Sequence, residues 1–238
     1  MLHVAADQIA LFLDFDGTLV DLAPTPDSIL VEDRIAPTLI RLSDALDGAI
    51  AIVTGRELAD VDGHLKLKLP AAGLHGMQYR PHAEAQIETI ERPSSLDHVM
   101  RLIRETIDFE EGLFLEDKAL SFGVHYRACP DKGPMVKQAL GDALTDFKDL
   151  HVISGKMLFE VKPRHINKGH AVGRFLEEEG FKGRMPVFVG DDVTDEDGFR
   201  AAAHAGGFGV KVGAGPTSAQ HRLHGVSDVV NWLNTLRV

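Results

Sequence analysis

Two apolar runs that each lead into aspartates constrain the fold of this chain more than any other feature of its sequence. The run 9–13 is followed by Asp14 and Asp16, and the run 186–189 is followed, after one glycine, by Asp191. Short apolar runs bounded by polar, glycine-containing turns are typical of buried β-strands. Because ligands of open α/β sheets bind beyond the carboxyl ends of the strands, we expect both sets of carboxylates at one edge of a sheet.

Strands and helices alternate at both ends of the chain, which indicates a parallel sheet covered by helices on both faces. The predicted strands cover 9–15, 49–53, 186–189 and 207–212. The predicted helices cover 33–46, 168–179, 194–203 and 229–236, with a further helix after 54–56. The predicted fold class is therefore α/β, with a Rossmann-like parallel-sheet core.

The middle of the chain has a different pattern. Helices are predicted at 96–107 and 133–147, and strands at 113–115, 119–127, 151–153 and 157–161. This αββαββ order is consistent with a small α+β domain inserted into the parallel-sheet domain. With joints placed at two prolines, the predicted division is 1–81 and 164–238 for the core and 82–163 for the insertion.

Charge and cysteine content restrict the partners and the compartment. The net charge is −11, from 36 acidic and 25 basic residues, which argues against nucleic acid as a partner. No apolar stretch approaches the ~20 residues needed to span a bilayer, so we expect no membrane association. The single cysteine and the lack of a basic leader at 1–7 favour a cytoplasmic protein. We expect a monomer.

Asp14 and Asp16 are two residues apart after an apolar run, so an extended backbone projects both carboxylates toward the same side. Gly17 allows the chain to turn away sharply. Taken alone, the pattern also fits a simple turn at Asp16 and Gly17 in which Asp14 is a cap.

A second acidic cluster contains Asp191, Asp192 and Asp195. Mg²⁺ prefers hard oxygen ligands in octahedral geometry, and carboxylates from two strand ends together with a phosphate oxygen would provide them. Asp191 is therefore the predicted ligand from this cluster, with Asp192 and Asp195 in supporting positions. The alternative is that Asp192, Thr194 and Asp195 cap the helix that follows.

Two further segments offer groups that bind phosphate. The Thr54 hydroxyl and the Gly55 amide can donate hydrogen bonds to phosphate oxygens. Lys168 lies at a predicted helix start, where an ammonium is electrostatically unfavourable unless an anion is nearby. Exposed lysines near helix starts are nevertheless common.

The four segments in this order resemble the motifs of the haloacid dehalogenase (HAD) phosphatase superfamily, and the insertion resembles its larger class of cap domain. They are Asp14-Phe15-Asp16-Gly17-Thr18, Thr54-Gly55-Arg56, Asn167-Lys168-Gly169 and the acidic segment 190–195. Further segments are similar to the trehalose-6-phosphate phosphatase family. They are Gly73-Leu74-His75-Gly76, His125-Tyr126-Arg127 and Glu160-Val161-Lys162-Pro163.

The resemblance implies a Mg²⁺-dependent phosphatase that hydrolyses trehalose 6-phosphate to trehalose and phosphate through an aspartyl-phosphate intermediate. Asp14 would be the nucleophile and Asp16 the general acid and base. Thr54 and Lys168 would neutralise the phosphoryl oxygens. The metal would be held by Asp14, by the main-chain carbonyl of Asp16 and by Asp191.

The resemblance also implies which residues bind the sugar phosphate. On the core they are Gly55, Arg56, His75, Gly76 and Arg80, and on the cap they are Lys118, His125, Arg127 and Glu160. For Lys118 and Arg127, a solvated strand face is the alternative. Functional pairing with trehalose-6-phosphate synthase in trehalose biosynthesis is also implied.

Three other functions stay open on the sequence. One is a different sugar phosphatase, such as the sucrose-phosphate type, and a second is a phosphomutase that returns the phosphoryl group to another hydroxyl. The third is a non-catalytic sensor of sugar phosphates, although a sensor does not need a nucleophile.

Overall fold

A computed structural model describes residues 8–23, 28–108, 110–118, 120–155 and 157–236. Their Cα positions cluster into two compact units. The core unit comes from Met1–Thr89 and Asn167–Val238, and the inserted unit is Ile90–Ile166.

The elements follow in chain order. The first part of the core unit contains β1 (Ile9–Leu13), α1 (Ile35–Ala45), β2 (Ile50–Val53), α2 (Leu58–Leu65), β3 (Ala71–Gly73), β4 (Gln78–Arg80) and β5 (Glu88–Thr89). The inserted unit contains α3 (Ser94–Ile107), β6 (Phe114–Asp117), β7 (Phe122–His125), α4 (Gly133–Ala143), β8 (Leu150–Gly155) and β9 (Leu158–Pro163). The core resumes with α5 (Lys168–Glu177), β10 (Met185–Gly190), α6 (Asp195–His204), β11 (Phe208–Val212), β12 (His221–Leu223) and α7 (Val226–Thr235).

The core sheet has the strand order β12-β11-β10-β1-β2-β3-β4-β5. Pairing is parallel from β12 to β3 and antiparallel at the β4 and β5 edge. The chain proceeds from β1 toward β3 on one side and from β10 toward β12 on the other. Because the strand order reverses beside β1, the carboxyl ends of β10, β1 and β2 border the crevice where ligands of such sheets bind.

The central strands are continuous apolar runs because helices cover the sheet, and the predicted α/β class with a parallel sheet is confirmed. In α5, Phe175 packs on Phe12 of β1 with ring centroids 5.9 Å apart. In α6, Phe199 meets Phe188 of β10 edge to face at 5.7 Å. These contacts fix the two helices against the sheet, and their N-terminal residues are Lys168 and Asp195.

The inserted unit is an antiparallel sheet of order β6-β7-β9-β8 with the amphipathic helices α3 and α4 on one face, and the predicted αββαββ order is confirmed. Its separate core contains Val99, Phe122, Val124, Val136 and Val161. The predicted strand at 119–127 begins at a residue outside the described ranges. The observed strand is shorter because the chain turns after His125.

Along the chain, the boundaries between the compact units lie at Thr89/Ile90 and at Ile166/Asn167, whereas the predicted joints lie after 81 and after 163. The first difference arises because β4 and β5 form a hairpin on the core sheet. The short strands β3, β4, β5 and β12 were not predicted. Within the described ranges, no helix combines the length and the apolar character needed to cross a membrane.

Candidate active site

The first carboxylate lies at the junction of the two central strands. The Asp14 amide donates to the Val189 carbonyl at 2.9 Å, so the pairing of β1 with β10 continues to the end of β1. Asp14 is 3% exposed. Asp191 follows β10 directly, which brings the aspartates of the two apolar runs to the same edge of the sheet, as predicted.

Gly17 makes the close approach of these two segments possible. Its φ of 74° is in the left-handed region, which favours glycine. A Cβ at this position would lie 2.2 Å from Oδ2 of Asp191. Any side chain at residue 17 would therefore both strain the turn and displace that carboxylate.

Lys168 lies between two carboxylates. Its Nζ is 2.7 Å from Oδ1 of Asp14 and 2.6 Å from Oδ1 of Asp195, and the three side chains are at most 5% exposed. Asn167 caps helix α5 by accepting a hydrogen bond from the His170 amide at 2.8 Å. The unfavourable position of an ammonium at a helix start is thus compensated by two anions, and the alternative of an exposed lysine is excluded.

Asp14, Asp191 and Asp195 form a cluster in which one oxygen of each lies within 4.8 Å of the others. The predicted position of Asp195 is only a supporting one, whereas the structure places its carboxylate inside the cluster. Its Oδ2 accepts a hydrogen bond from the Asp192 amide at 2.9 Å. Asp192 itself supports the cluster through its main chain, and its side chain is exposed.

The cluster carries an excess of negative charge. Burial raises the pKa of Asp14 to about 7 against the attraction of Lys168, and burial and the neighbouring carboxylates raise the pKa of Asp191 to about 6. Burial alone would lower the pKa of Lys168, but Asp14 and Asp195 raise it, so the lysine stays charged. The cluster has three carboxylates and one ammonium in contact with them, and its potential metal ligands are all oxygen atoms. Such a set fits a hard divalent cation such as Mg²⁺.

Asp16 is held by an arginine. Arg56 donates from Nε to one carboxylate oxygen of Asp16 at 2.6 Å and from a terminal nitrogen to the other at 2.9 Å. The same guanidinium donates to Asp60 at 2.6 Å and lies over the Phe15 ring at 5.8 Å from its centroid. The structure therefore places Arg56, predicted to bind substrate, directly on the Asp16 carboxylate.

The Thr-Gly-Arg and Gly-Leu-His-Gly segments meet at the end of β2. The Thr54 hydroxyl accepts a hydrogen bond from the Arg56 amide at 3.1 Å, and the Thr54 carbonyl accepts one from the His75 amide at 2.9 Å. His75 and Gly76 have φ values of 59° and 108°. A Cβ on Gly55 would lie 2.9 Å from the His75 ring, so the two segments depend on close packing. Left-handed non-glycine residues such as His75 are concentrated at functional sites.

The prediction that Arg80 binds substrate needs correction. Its guanidinium donates to both carboxylate oxygens of Asp62 at 2.6 and 2.7 Å and to the Leu69 carbonyl at 3.0 Å. The residue is 2% exposed. Because these partners and the surrounding core enclose the guanidinium, we assign Arg80 a structural role.

In the inserted unit, three of the predicted residues form one polar network. Lys118 Nζ lies 3.4 Å from Glu160 and 3.6 Å from Glu116, and His125 Nε2 lies 2.9 Å from Glu116. These side chains are 29–41% exposed. Arg127 follows β7 and is exposed.

A sequence profile of the trehalose-phosphatase family matches residues 12–228. A trehalose-6-phosphate phosphatase of Escherichia coli (strain K12) is 36% identical over 230 residues, which cover 95% of this chain and 86% of the relative. The chain belongs to the trehalose-phosphatase family. The predicted family and the predicted phosphatase class are thereby confirmed.

Solved structures agree with the family. The trehalose-6-phosphate phosphatase of Aspergillus fumigatus superposes with a TM-score of 0.82 at 28% identity, covering 96% of this chain and 92% of that one. A haloacid dehalogenase-like hydrolase from B. subtilis has a TM-score of 0.65 at 16% identity, covering 96% and 99%, and shows the shared fold alone. The HAD-type fold expected of a trehalose-phosphatase is confirmed.

Several residues that contact the predicted ones were not predicted from the sequence. They are Asp60, Glu116, Ser121 and Lys211. Lys211 is 6% exposed and its Nζ donates to the main-chain carbonyl of Asp191. A signal existed for Glu116, which lies two residues before Lys118 and therefore on the same side of a strand. None existed for Lys211, since a lysine within a strand is usually solvated.

Proposed function

We propose that this member of the trehalose-phosphatase family hydrolyses trehalose 6-phosphate to trehalose and phosphate in a Mg²⁺-dependent reaction with Asp14 as the nucleophile. The observation that carries the proposal is the buried cluster of Asp14, Asp191 and Asp195 with Lys168 in contact with two of its members. Such a set of charges matches a phosphoryl group and its divalent cation.

In the first step, a carboxylate oxygen of Asp14 attacks phosphorus in line, and the bond between phosphorus and the sugar oxygen breaks. The product on the protein is an aspartyl phosphate. Lys168, whose Nζ is 2.7 Å from Asp14, orients the nucleophile and stabilises the negative charge on the phosphoryl oxygens. Its raised pKa supports this role, because the ammonium stays protonated.

Asp16 gives a proton to the departing sugar oxygen and later takes a proton from the water that hydrolyses the aspartyl phosphate. That water adds to phosphorus, phosphate leaves, and the Asp14 carboxylate is restored. Both carboxylate oxygens of Asp16 accept hydrogen bonds from Arg56 in this structure. For proton transfer, Arg56 must release at least one of them.

The carboxylates of Asp14 and Asp191 and the main-chain carbonyl of Asp16 would hold Mg²⁺, with Asp195 as the third carboxylate of the cluster. The cation would neutralise charge on the transferring phosphoryl group. Burial raises the pKa values of Asp14 and Asp191, so a cation beside them would stabilise their ionised forms. Lys211 would fix the position of Asp191 by donating a hydrogen bond to its main-chain carbonyl.

Recognition of the substrate would involve two sets of residues. Thr54, Gly55, Arg56, His75 and Gly76 on the core are proposed for the phosphate and its surroundings. Lys118, His125, Arg127 and Glu160 on the inserted unit are proposed for the sugar. Arg80 is left out of the set because Asp62 occupies it.

A cytoplasmic location, a monomeric state and functional pairing with trehalose-6-phosphate synthase stay predictions. The single cysteine supports a reducing compartment. The acidic net charge of −11 supports a small-molecule substrate over nucleic acid.

A phosphate-release assay with trehalose 6-phosphate, sucrose 6-phosphate and glucose 6-phosphate in the presence of Mg²⁺ tests the proposal. We expect the highest kcat/KM for trehalose 6-phosphate. A preference for either other ester would reject the substrate. Isomerised sugar phosphate without free phosphate would indicate a mutase, and binding without turnover of any ester would indicate a sensor.

A further inference from the structure

The face of the inserted sheet opposite its helices has side chains in register across the strands. Phe114, His125 and Leu158 are paired neighbours on β6, β7 and β9. Glu116 and Glu160 lie in the next row, on either side of Gly123. Residues paired across strands project from the same face, so these side chains form one surface.

Phe114 is unusual on this surface. It is 62% exposed, although phenylalanine is among the residue types most often buried. Its ring lies beside the His125 imidazole, with centroids 5.6 Å apart and an interplanar angle of 43°. Nε2 of His125 lies 2.9 Å from a carboxylate oxygen of Glu116, and this hydrogen bond fixes the imidazole beside the Phe114 ring.

Gly123 leaves the middle of the surface without a side chain of its own. Leu158 leans over it, since a Cβ on Gly123 would lie 2.8 Å from Cδ1 of Leu158. That added Cβ would lie 3.8 Å from a carboxylate oxygen of Glu116 and 3.8 Å from Nε2 of His125. An apolar floor is therefore bordered by an exposed aromatic ring, an imidazole and carboxylates.

A pyranose ring has an apolar face of C–H groups and a rim of hydroxyls, and this surface is complementary to both. The aromatic ring and the leucine offer apolar contact, and ionised carboxylates accept hydrogen bonds from hydroxyls. Binding sites for small molecules combine apolar and aromatic lining with a few placed polar groups in this way.

We propose that Phe114, with Leu158, is the apolar contact surface for a pyranose ring of the substrate and thereby sets selectivity for sugar phosphates over esters without a sugar. The inference rests on the proposed function and adds a specificity-determining residue to it.

The test compares Phe114→Ala with the unaltered chain, using trehalose 6-phosphate and p-nitrophenyl phosphate, an ester without a sugar. We expect KM for trehalose 6-phosphate to rise about tenfold, equivalent to a loss of about 1.4 kcal/mol of binding free energy, because the apolar face of the sugar loses its aromatic contact. The ratio of kcat/KM values for the two esters should fall by a similar factor. Phe114→Tyr, which keeps the ring, should retain the ratio of the unaltered chain.

Leu102→Ala is the matched control, because Leu102 is 37% exposed on α3 and belongs to the helical layer of the same unit. It should leave unchanged both KM for trehalose 6-phosphate and the ratio of kcat/KM values for the two esters. A ratio for Phe114→Ala within twofold of the unaltered chain would overturn the inference, as would a loss in Phe114→Tyr equal to that in Phe114→Ala. Failure of the unaltered chain to release phosphate from trehalose 6-phosphate would reject the proposed function, and this inference with it.

Discussion

The core cluster and the exposed face of the inserted sheet use the same kinds of side chain in opposite environments. In the core, the side chains of Lys168 and Asp14 are 3% and 5% exposed and lie 2.7 Å apart. In the insertion, Lys118 and Glu160 are 37% and 29% exposed and lie 3.4 Å apart. Removing one partner of a buried pair costs about 3–5 kcal/mol, whereas an exposed pair contributes about 0–1 kcal/mol.

This difference fits the proposed division of roles, with chemistry in the core and recognition on the inserted sheet. Phosphoryl transfer requires charges that are already fixed around the reacting group, and burial provides such fixed geometry. Recognition of a sugar requires groups that can exchange water and neighbours for hydroxyls, and half-exposed side chains do this at little cost. Variants in the core should therefore change kcat or stability, and variants on the inserted sheet should change KM.

The largest effect is expected for Asp14→Asn. The change removes the charge and the nucleophile with little change of volume, so kcat should fall by on the order of 10⁴-fold or more. Phosphate release under saturating substrate measures it, with circular dichroism to confirm the fold.

Asp21→Asn is the matched control, because Asp21 is an exposed aspartate beyond the same turn. It should keep the activity of the unaltered chain. More than trace activity in Asp14→Asn would remove Asp14 from its proposed role.

Removal of the metal should stop turnover without unfolding the chain. Excess chelator should abolish phosphate release, and added Mg²⁺ should restore it. In thermal unfolding, Mg²⁺ at 100 times its dissociation constant should stabilise the unaltered chain by about 2.7 kcal/mol. Asp191→Asn should lose most of this stabilisation, because one ligand of the cluster becomes neutral. Full activity in excess chelator would contradict the assignment of the metal.

Arg80→Met tests the assignment of Arg80 to the structure of the core. The change leaves the Asp62 carboxylate without its bidentate partner, so the free energy of unfolding should fall by about 3 kcal/mol. KM for trehalose 6-phosphate should stay within twofold. Arg34→Met removes an arginine that is 46% exposed in its pair with Glu32 and should cost about 1 kcal/mol or less. A large rise in KM for Arg80→Met would return Arg80 to the substrate set.

The smallest effect is expected for Glu160→Gln. The amide keeps an acceptor but loses the charge, so KM for trehalose 6-phosphate should rise about five- to tenfold, with stability changed by less than about 1 kcal/mol. Glu105→Gln, an exposed position on α3, is the control and should leave KM unchanged. A fall in kcat without a change in KM would contradict a role in recognition.

The parts of the fold and site predicted from sequence are those with strong local patterns. The strands at β1 and β10 were identifiable because continuous apolar runs end abruptly in aspartates. The spacing of Asp14 and Asp16 and the lysine at a helix start then indicated where anions and cations would meet. The αββαββ order of the insertion followed from changes in hydrophobic period.

The remainder depended on tertiary packing. Strand β3 is Ala71–Gly73, a segment without β-branched residues, and it is extended because it pairs with β2. Arg80 was indistinguishable from a surface arginine until Asp62 and Leu69 were seen around it. Asp195 could be read as a helix cap, and its place in the carboxylate cluster depends on how α6 packs on β10.

Gly17 shows that the proposed metal site can be lost without changing any residue that is proposed to hold the ion. Replacing this glycine by alanine would push the Asp191 carboxylate from its position, because the added methyl would overlap it. An alanine scan that scores residues by the functional groups they lose would rank position 17 as harmless, since glycine has none to lose. For anyone redesigning this loop, the space kept empty at residue 17 has to be treated as part of the site.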